Sequence, residues 1–141
     1  MKKYLKFFII IIAILFLICF NYIKYKISKN RRISFNMYFI NNYEKEISGT
    51  EMASIINKYI NENENNNILK DENGIYIDDK EKYIEIQIKF KDNENTIKFE
   101  KIYNAGVSKF VDLYSDAKFK LKKVEFHNKS NRVKIAYYEE V

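Results

Sequence analysis

His127 is the only histidine in the chain, and Glu125 stands two residues before it in the run "KVEFH". On a strand, residues two apart share a face, which would set the imidazole and the carboxylate side by side, opposite Val124 and Phe126. Such a pair is the beginning of a general base. The local sequence supplies no third group to orient the ring and no nucleophile beside it, so a solvated histidine is the expectation. Asp78 and Asp79, with Asp71 and Glu72 upstream, have the right oxygen chemistry for a hard cation. They lack the alternating Asp/Asn and Gly spacing of a calcium loop and read as turn residues. In "KFKLKK", lysines interleave with Phe119 and Leu121, as on a strand that stacks nucleic-acid bases. The same alternation is what a core strand with a solvated lysine face requires, and that reading is adopted. No Gly-rich phosphate loop, serine elbow or zinc-ligand spacing occurs. No residue is assigned a catalytic, cofactor-binding or metal-binding role, no cofactor is expected, and the chain reads as a non-enzyme.

The elements that would position these residues are legible from periodicity. Ser48 and Glu51 have capping-box spacing. Met52, Ile55, Ile56, Tyr59 and Ile60 then fall at i, i+3, i+4, i+7 and i+8, the buried stripe of a helix that ends in the polar run Asn61–Asn67. "YIEIQIKF" alternates Ile84, Ile86, Ile88 and Phe90 with polar residues, a half-buried strand. "DNEN" turns it into a second strand, "TIKFEKI", and "GIYI" is a short strand ahead of both. A second helix fits "NAGVSKFVDLYS", with Tyr103, Val107, Phe110, Val111 and Tyr114 as its stripe and Gly106 for close packing. A last hairpin joins "KFKLKKVEFH" to "RVKIAYYEEV". The doublet Lys122–Lys123 breaks its alternation and implies a β-bulge, and Val133, Ile135 and Tyr137 are expected to face the core. The class is α+β, with the order α-β-β-β-α-β-β, an antiparallel sheet and two helices on one face.

Ahead of that domain, residues 7–20 are fourteen consecutive apolar residues. With their flanks they give roughly 17–20 helical residues, about 26–30 Å, enough to cross a bilayer. Tyr4, Tyr22 and Tyr25 stand where an aromatic interface belt is expected. A cleaved signal peptide needs small residues at its exit, and Ala13 is the only small residue in the run. Phe16, Leu17 and Ile18 before Cys19 do not fit lipoprotein processing, and no leader glycine of a prepilin is present. An uncleaved anchor over residues 7–23 follows, after a basic tail of residues 1–6. Residues 24–46 form a basic juxtamembrane stalk, whose Phe35, Tyr38, Phe39 and Tyr43 either continue the helix or pack on the domain of residues 47–141.

The net charge of +6 over 141 residues invites a polyanion partner. Residues 1–32 hold eight Lys or Arg and no acid, whereas residues 33–141 hold 17 bases and 19 acids. The domain is close to neutral, which excludes a general nucleic-acid binder. Within it, residues 44–100 carry 8 bases against 14 acids, and residues 118–134 carry 7 bases against one acid. Complementary faces that offset each other are expected, with docking of an anionic partner as the sharper alternative. A domain without cysteine can hold no disulfide. Lys, Asn and Ile make up 62 residues, the mark of an AT-rich and bacterial coding sequence.

Phe35-Asn36, Tyr43, "SGT" at 48–50 and "IINKYINENE" together resemble the start of small single-pass envelope proteins of low-GC Gram-positive bacteria. The resemblance implies an N-terminal span, a small β-rich domain and an association with pilus-like or secretion-type machinery, and no catalytic residues. The expectation is a single-pass membrane protein held in the bilayer through residues 7–23. Its domain lies outside the cytoplasm and binds an envelope protein as a pseudopilin-like or scaffold component. The alternative is a cytoplasm-facing regulatory or ligand-sensing module, since four basic groups before the span and five after it do not set its direction.

Overall fold

With no proline anywhere and its first glycine at position 49, the N-terminal third of the chain meets no helix breaker. In a computed structural model, which describes residues 2–77 and 80–141, it forms one helix, α1 (Lys2–Asn41), of 40 residues. No part of the most apolar 18-residue window of α1 is buried against protein. The chain divides into two compact units, Met1–Ser34 and Phe35–Val141. The second therefore takes in the last turns of α1, which the sequence reading placed in the stalk. There Asn36 and Phe39 are buried, and the Phe39 ring lies 5.1 Å from that of Tyr59.

The second unit continues with β1 (Glu46–Ser48), α2 (Gly49–Asn65), β2 (Glu85–Lys89), β3 (Thr96–Lys98), α3 (Phe99–Ala105), α4 (Val107–Tyr114), β4 (Lys118–Phe126) and β5 (Val133–Glu140). The architecture is α+β, with a five-stranded sheet in the order β1-β4-β5-β2-β3. The sheet is mixed where an antiparallel one was expected: β2 runs parallel to β5, and every other pair is antiparallel. Each hairpin, β2–β3 and β4–β5, follows its own turn signals. Which hairpin edges meet, and in which sense, depends on the path of α3 and α4 between them. Alternation in a sequence reports faces and not neighbours.

Ser48 caps α2 as its spacing predicts, its Oγ accepting from the Glu51 backbone N–H at 3.2 Å. The expected stripe of α2 is buried in full, at Met52, Ile55, Ile56, Tyr59 and Ile60. The second helix differs from its expectation. Phe99, expected on a strand, begins α3 and is fully buried. Gly106, at φ 107°, then separates α3 from α4. That backbone conformation favours glycine, and it lets two short helices cover what one straight helix would miss. The short strand expected at "GIYI" is reduced to a single bridge between Lys70 and Tyr76, and β1 was not anticipated.

The register of β4 on β5 shifts between Leu121 and Lys123, at the expected bulge, and again between Glu125 and Phe126. The second shift changes the phase of β5. Val133, Ala136 and Tyr138 are buried, while Ile135 and Tyr137 are half-buried and occupy cross-strand positions with Glu85 and Gln87 on the opposite face. Phe90, Phe110, Tyr114 and Phe119 form an aromatic cluster between helices and sheet, with Phe90 and Tyr114 centroids 4.7 Å apart.

Candidate functional site

The acidic and basic halves of the domain meet in the fold. Lys122 pairs with Glu44 at 3.2 Å, Lys120 with Glu46 at 3.9 Å and Arg132 with Glu62 at 3.0 Å. Glu81 accepts from the backbone N–H groups of Lys129 and Ser130 at 3.1 and 2.7 Å, and these amides hold its carboxyl below the usual range despite an opposing desolvation cost. Arg132 also stacks on Phe35, 3.9 Å from its ring centroid. This is the offsetting arrangement expected of complementary faces. Exposed pairs of this kind are each worth about 0–1 kcal/mol, so they explain charge placement and little stability.

His127 departs from its expectation. It is 2% exposed, its Nε2 lies 2.8 Å from the Tyr83 carbonyl oxygen, and its ring stands edge-on to that of Tyr83. Its backbone closes the hairpin turn, the N–H donating to Arg132 O at 2.8 Å. The second register shift separates it from Glu125, which pairs with Lys123 at 3.1 Å. The imidazole thus fastens the loop before β2 to the β4–β5 turn. Phe119 and Leu121 are fully buried, as core residues of the strand. Asp71 is a turn residue, its Oδ1 accepting from Asn73 and Ile75 N–H at 2.9 Å each. Asp78 and Asp79 lie outside the described residues. Among the described residues, no group of three or more metal-ligating side chains is assembled.

The most concentrated electrostatics were not anticipated. Gln87 faces Lys98 across β2 and β3. Continuing that register two pairs brings Glu85 opposite Glu100, at the point where the chain enters α3. The two side chains are 3% and 1% exposed. Lys98 Nζ lies 3.0 Å from Glu85 Oε1, and the Tyr83 hydroxyl donates to Glu85 Oε2 at 3.3 Å. Glu100 Oε1 accepts from Tyr76 N–H at 3.4 Å, while Oε2 has no hydrogen-bond partner. Burial, and then the nearby Glu85 charge, push the Glu100 carboxyl above its usual range. The hydrogen bond to Glu85 raises Lys98. A carboxyl with a raised proton affinity beside a second carboxyl is the raw material of acid–base chemistry. These two, however, are almost fully withdrawn from solvent, and they act on each other and on Lys98. Strict alternation had placed Glu85 on a solvated face and Glu100 on an extended strand, so no local signal marked them.

The accessible feature is an open groove of about 440 Å³ between the last turns of α1 and the β4–β5 hairpin, lined by Ile40, Tyr43, Lys122, Val124 and Phe126 among others. Ile40, Tyr43 and Phe126 are 59%, 49% and 47% exposed. Tyr43 is fixed by its hydroxyl, which donates to the Lys122 carbonyl at 2.9 Å. No family model, curated protein or solved structure matches this chain. Function therefore rests on what the chain itself presents: an uncovered apolar helix and an apolar groove with neutralised lysines at its rim. Single exposed apolar side chains are ordinary, whereas several in one patch mark an interaction surface.

Proposed function

We propose that the protein is a single-pass, membrane-anchored, non-enzymatic component of the cell envelope, whose Phe35–Val141 unit acts outside the cytoplasm as an interaction or assembly module. One observation carries this reading: α1 is long and apolar enough to span a bilayer, and none of its most apolar window is buried by protein. A core helix of a soluble domain would bury that window. Support for retention of the anchor comes from the unbroken helix, which has no small-residue exit and whose last turns give Asn36 and Phe39 to the domain core. The interaction role rests on the groove beside Ile40 and Phe126.

A second reading, a cytoplasm-facing regulatory or ligand-sensing module, is favoured by the five basic residues Lys24, Lys26, Lys29, Arg31 and Arg32 that follow the span. C-terminal fusions decide between them. Alkaline phosphatase activity without green fluorescence supports the external module, and fluorescence without phosphatase activity overturns it. Release of the full chain from membranes by alkaline carbonate would overturn the anchor itself.

A further inference from the structure

We propose that α1 carries a basic collar, made of Lys24, Lys26, Lys29 and Arg31, that binds the headgroups of anionic phospholipids around the whole circumference of the helix. The inference rests on the membrane-anchor reading, because the span is what holds these cations at a headgroup layer.

The collar is made within α1 alone. Its four cations are all exposed, and among the described residues none of them enters an ion pair. No neighbour along the helix neutralises them, since residues 1–43 contain no Asp or Glu. Residues 44–141 hold 19 acids among 98 residues, about one in five. The apolar run explains why acids are missing from residues 7–20, but it does not explain their absence from residues 21–43. A stretch that is polar, basic and free of acids is complementary to an anionic surface.

Height along the helix places the collar at a headgroup layer. Counted from Ile23, where the span ends, the helical rise puts Lys24 about 1.5 Å, Lys26 about 4.5 Å, Lys29 about 9 Å and Arg31 about 12 Å beyond the hydrocarbon. The headgroup layer is about 5–7 Å deep on each side, and its charge is felt for about 8 Å more at physiological salt. All four cations fall inside that reach, and the long stems of Lys and Arg can carry their charges back towards the phosphates. Tyr22 and Tyr25, 64% and 65% exposed, stand at the same boundary, where aromatic side chains anchor a span.

Direction around the helix selects lipid over a protein partner. At about 100° per residue, Lys24 and Arg31 share one face, and Lys26 and Lys29 share a nearly opposite one. A protein docking on a helix contacts one face, whereas headgroups surround a span on every side. Lys2, Lys3 and Lys6 give the other end of α1 the same character. With cations at both ends, α1 meets anionic headgroups in each leaflet, so the collar binds in either direction of insertion.

The test uses the full-length chain in lipid vesicles, in a Cys19→Ser background with a fluorophore attached at Ser28→Cys. Phosphatidylglycerol and phosphatidylcholine, each carrying a nitroxide just below the headgroup, are compared as quenchers at equal mole fraction. Phosphatidylglycerol is expected to quench severalfold more strongly at low salt. The ratio is expected to approach one at about 1 M salt, where the screening length has shrunk to about 3 Å. Combining Lys24→Gln, Lys26→Gln, Lys29→Gln and Arg31→Gln is expected to abolish the preference, while Lys24→Arg, Lys26→Arg and Lys29→Arg together are expected to keep it. Equal quenching by the two lipids at low salt, a preference that survives the four Gln substitutions, or one lost in the Arg variant overturns the collar. Among single variants, a loss confined to Lys24→Gln and Arg31→Gln would reveal a one-sided protein surface and overturn it as well. Alkaline carbonate extraction of the same vesicles reads the anchor separately. A chain that is released fails the anchor, and a chain that stays but shows no preference fails the collar alone.

Discussion

The side-chain amide of Asn63, near the end of α2, pairs with both backbone groups of Ile84. Its Nδ2 donates to the Ile84 carbonyl at 2.8 Å, and its Oδ1 accepts from the Ile84 N–H at 3.0 Å. Asn63 and Ile84 are both fully buried. The asparagine thus stands in for a neighbouring strand at the residue before β2, and it ties helix to sheet where the chain arrives from a long loop.

Asn63→Ala would strand a buried donor and a buried acceptor at Ile84. Each unmade bond costs about 1–3 kcal/mol, so a loss of about 2–6 kcal/mol is expected. For a domain of this size that corresponds to a fall in Tm of about 10 °C or more. Thermal unfolding followed by tyrosine near-ultraviolet dichroism measures it. A shift below about 2 °C, under 1 kcal/mol on the same scale, would show that water replaces the amide at no cost.

Glu100 sets a pH dependence of known sign. Its folded-state proton affinity is raised, chiefly by burial and then by Glu85. The folded chain therefore holds this proton more tightly than the unfolded chain does. The associated stability is fully present below the unfolded value of about 4.3 and is lost as pH rises through the folded value. Glu100→Gln keeps the shape and removes the charge. It is expected to be more stable than the parent at pH 7, with the difference shrinking as pH falls towards 4. Denaturant midpoints at both ends of that range check it, and an equal loss of stability at both would refute the assignment.

Gly49 is where α2 meets the end of α4. A Cβ at this position would lie 1.7 Å from the Tyr114 carbonyl oxygen and 2.5 Å from its carbonyl carbon. Both are backbone atoms and cannot rotate away. Gly49→Ala gains about 1 kcal/mol of helix propensity, and overpacking against fixed atoms costs about 3 kcal/mol or more. Net destabilisation is expected in urea unfolding, and a neutral or stabilised variant would mean that the two helices are not in contact.

The order of elements along the chain was largely written in local patterns. Fourteen apolar residues with no breaker favour an apolar helix, and Ser48 marks a helix start because the orphan amide it satisfies, that of Glu51, is local. The stripe of α2, the strand at Glu85–Lys89 and the bulge after Leu121 are likewise consequences of periods of 3.6 and 2. Each involves residues within a few positions of one another, and a sequence displays such relations directly.

The parallel placement of β2 against β5, the burial of His127 and the meeting of Glu85 with Glu100 are of another kind. They depend on two segments that are far apart in the chain and carry no signal of each other. Alternation assigned Glu85 to solvent because it cannot report what a third element lays over that face. The phase of β5 changed at a register shift, so Ala136 and Tyr138 entered the core where Ile135 and Tyr137 were expected. The sequence by itself determined the cleanly periodic elements, such as α2, β2 and the β4–β5 hairpin, and that the N-terminal helix is apolar. Only the tertiary structure decided which polar groups lose their water, because desolvation is a property of the assembled neighbours and not of the residue.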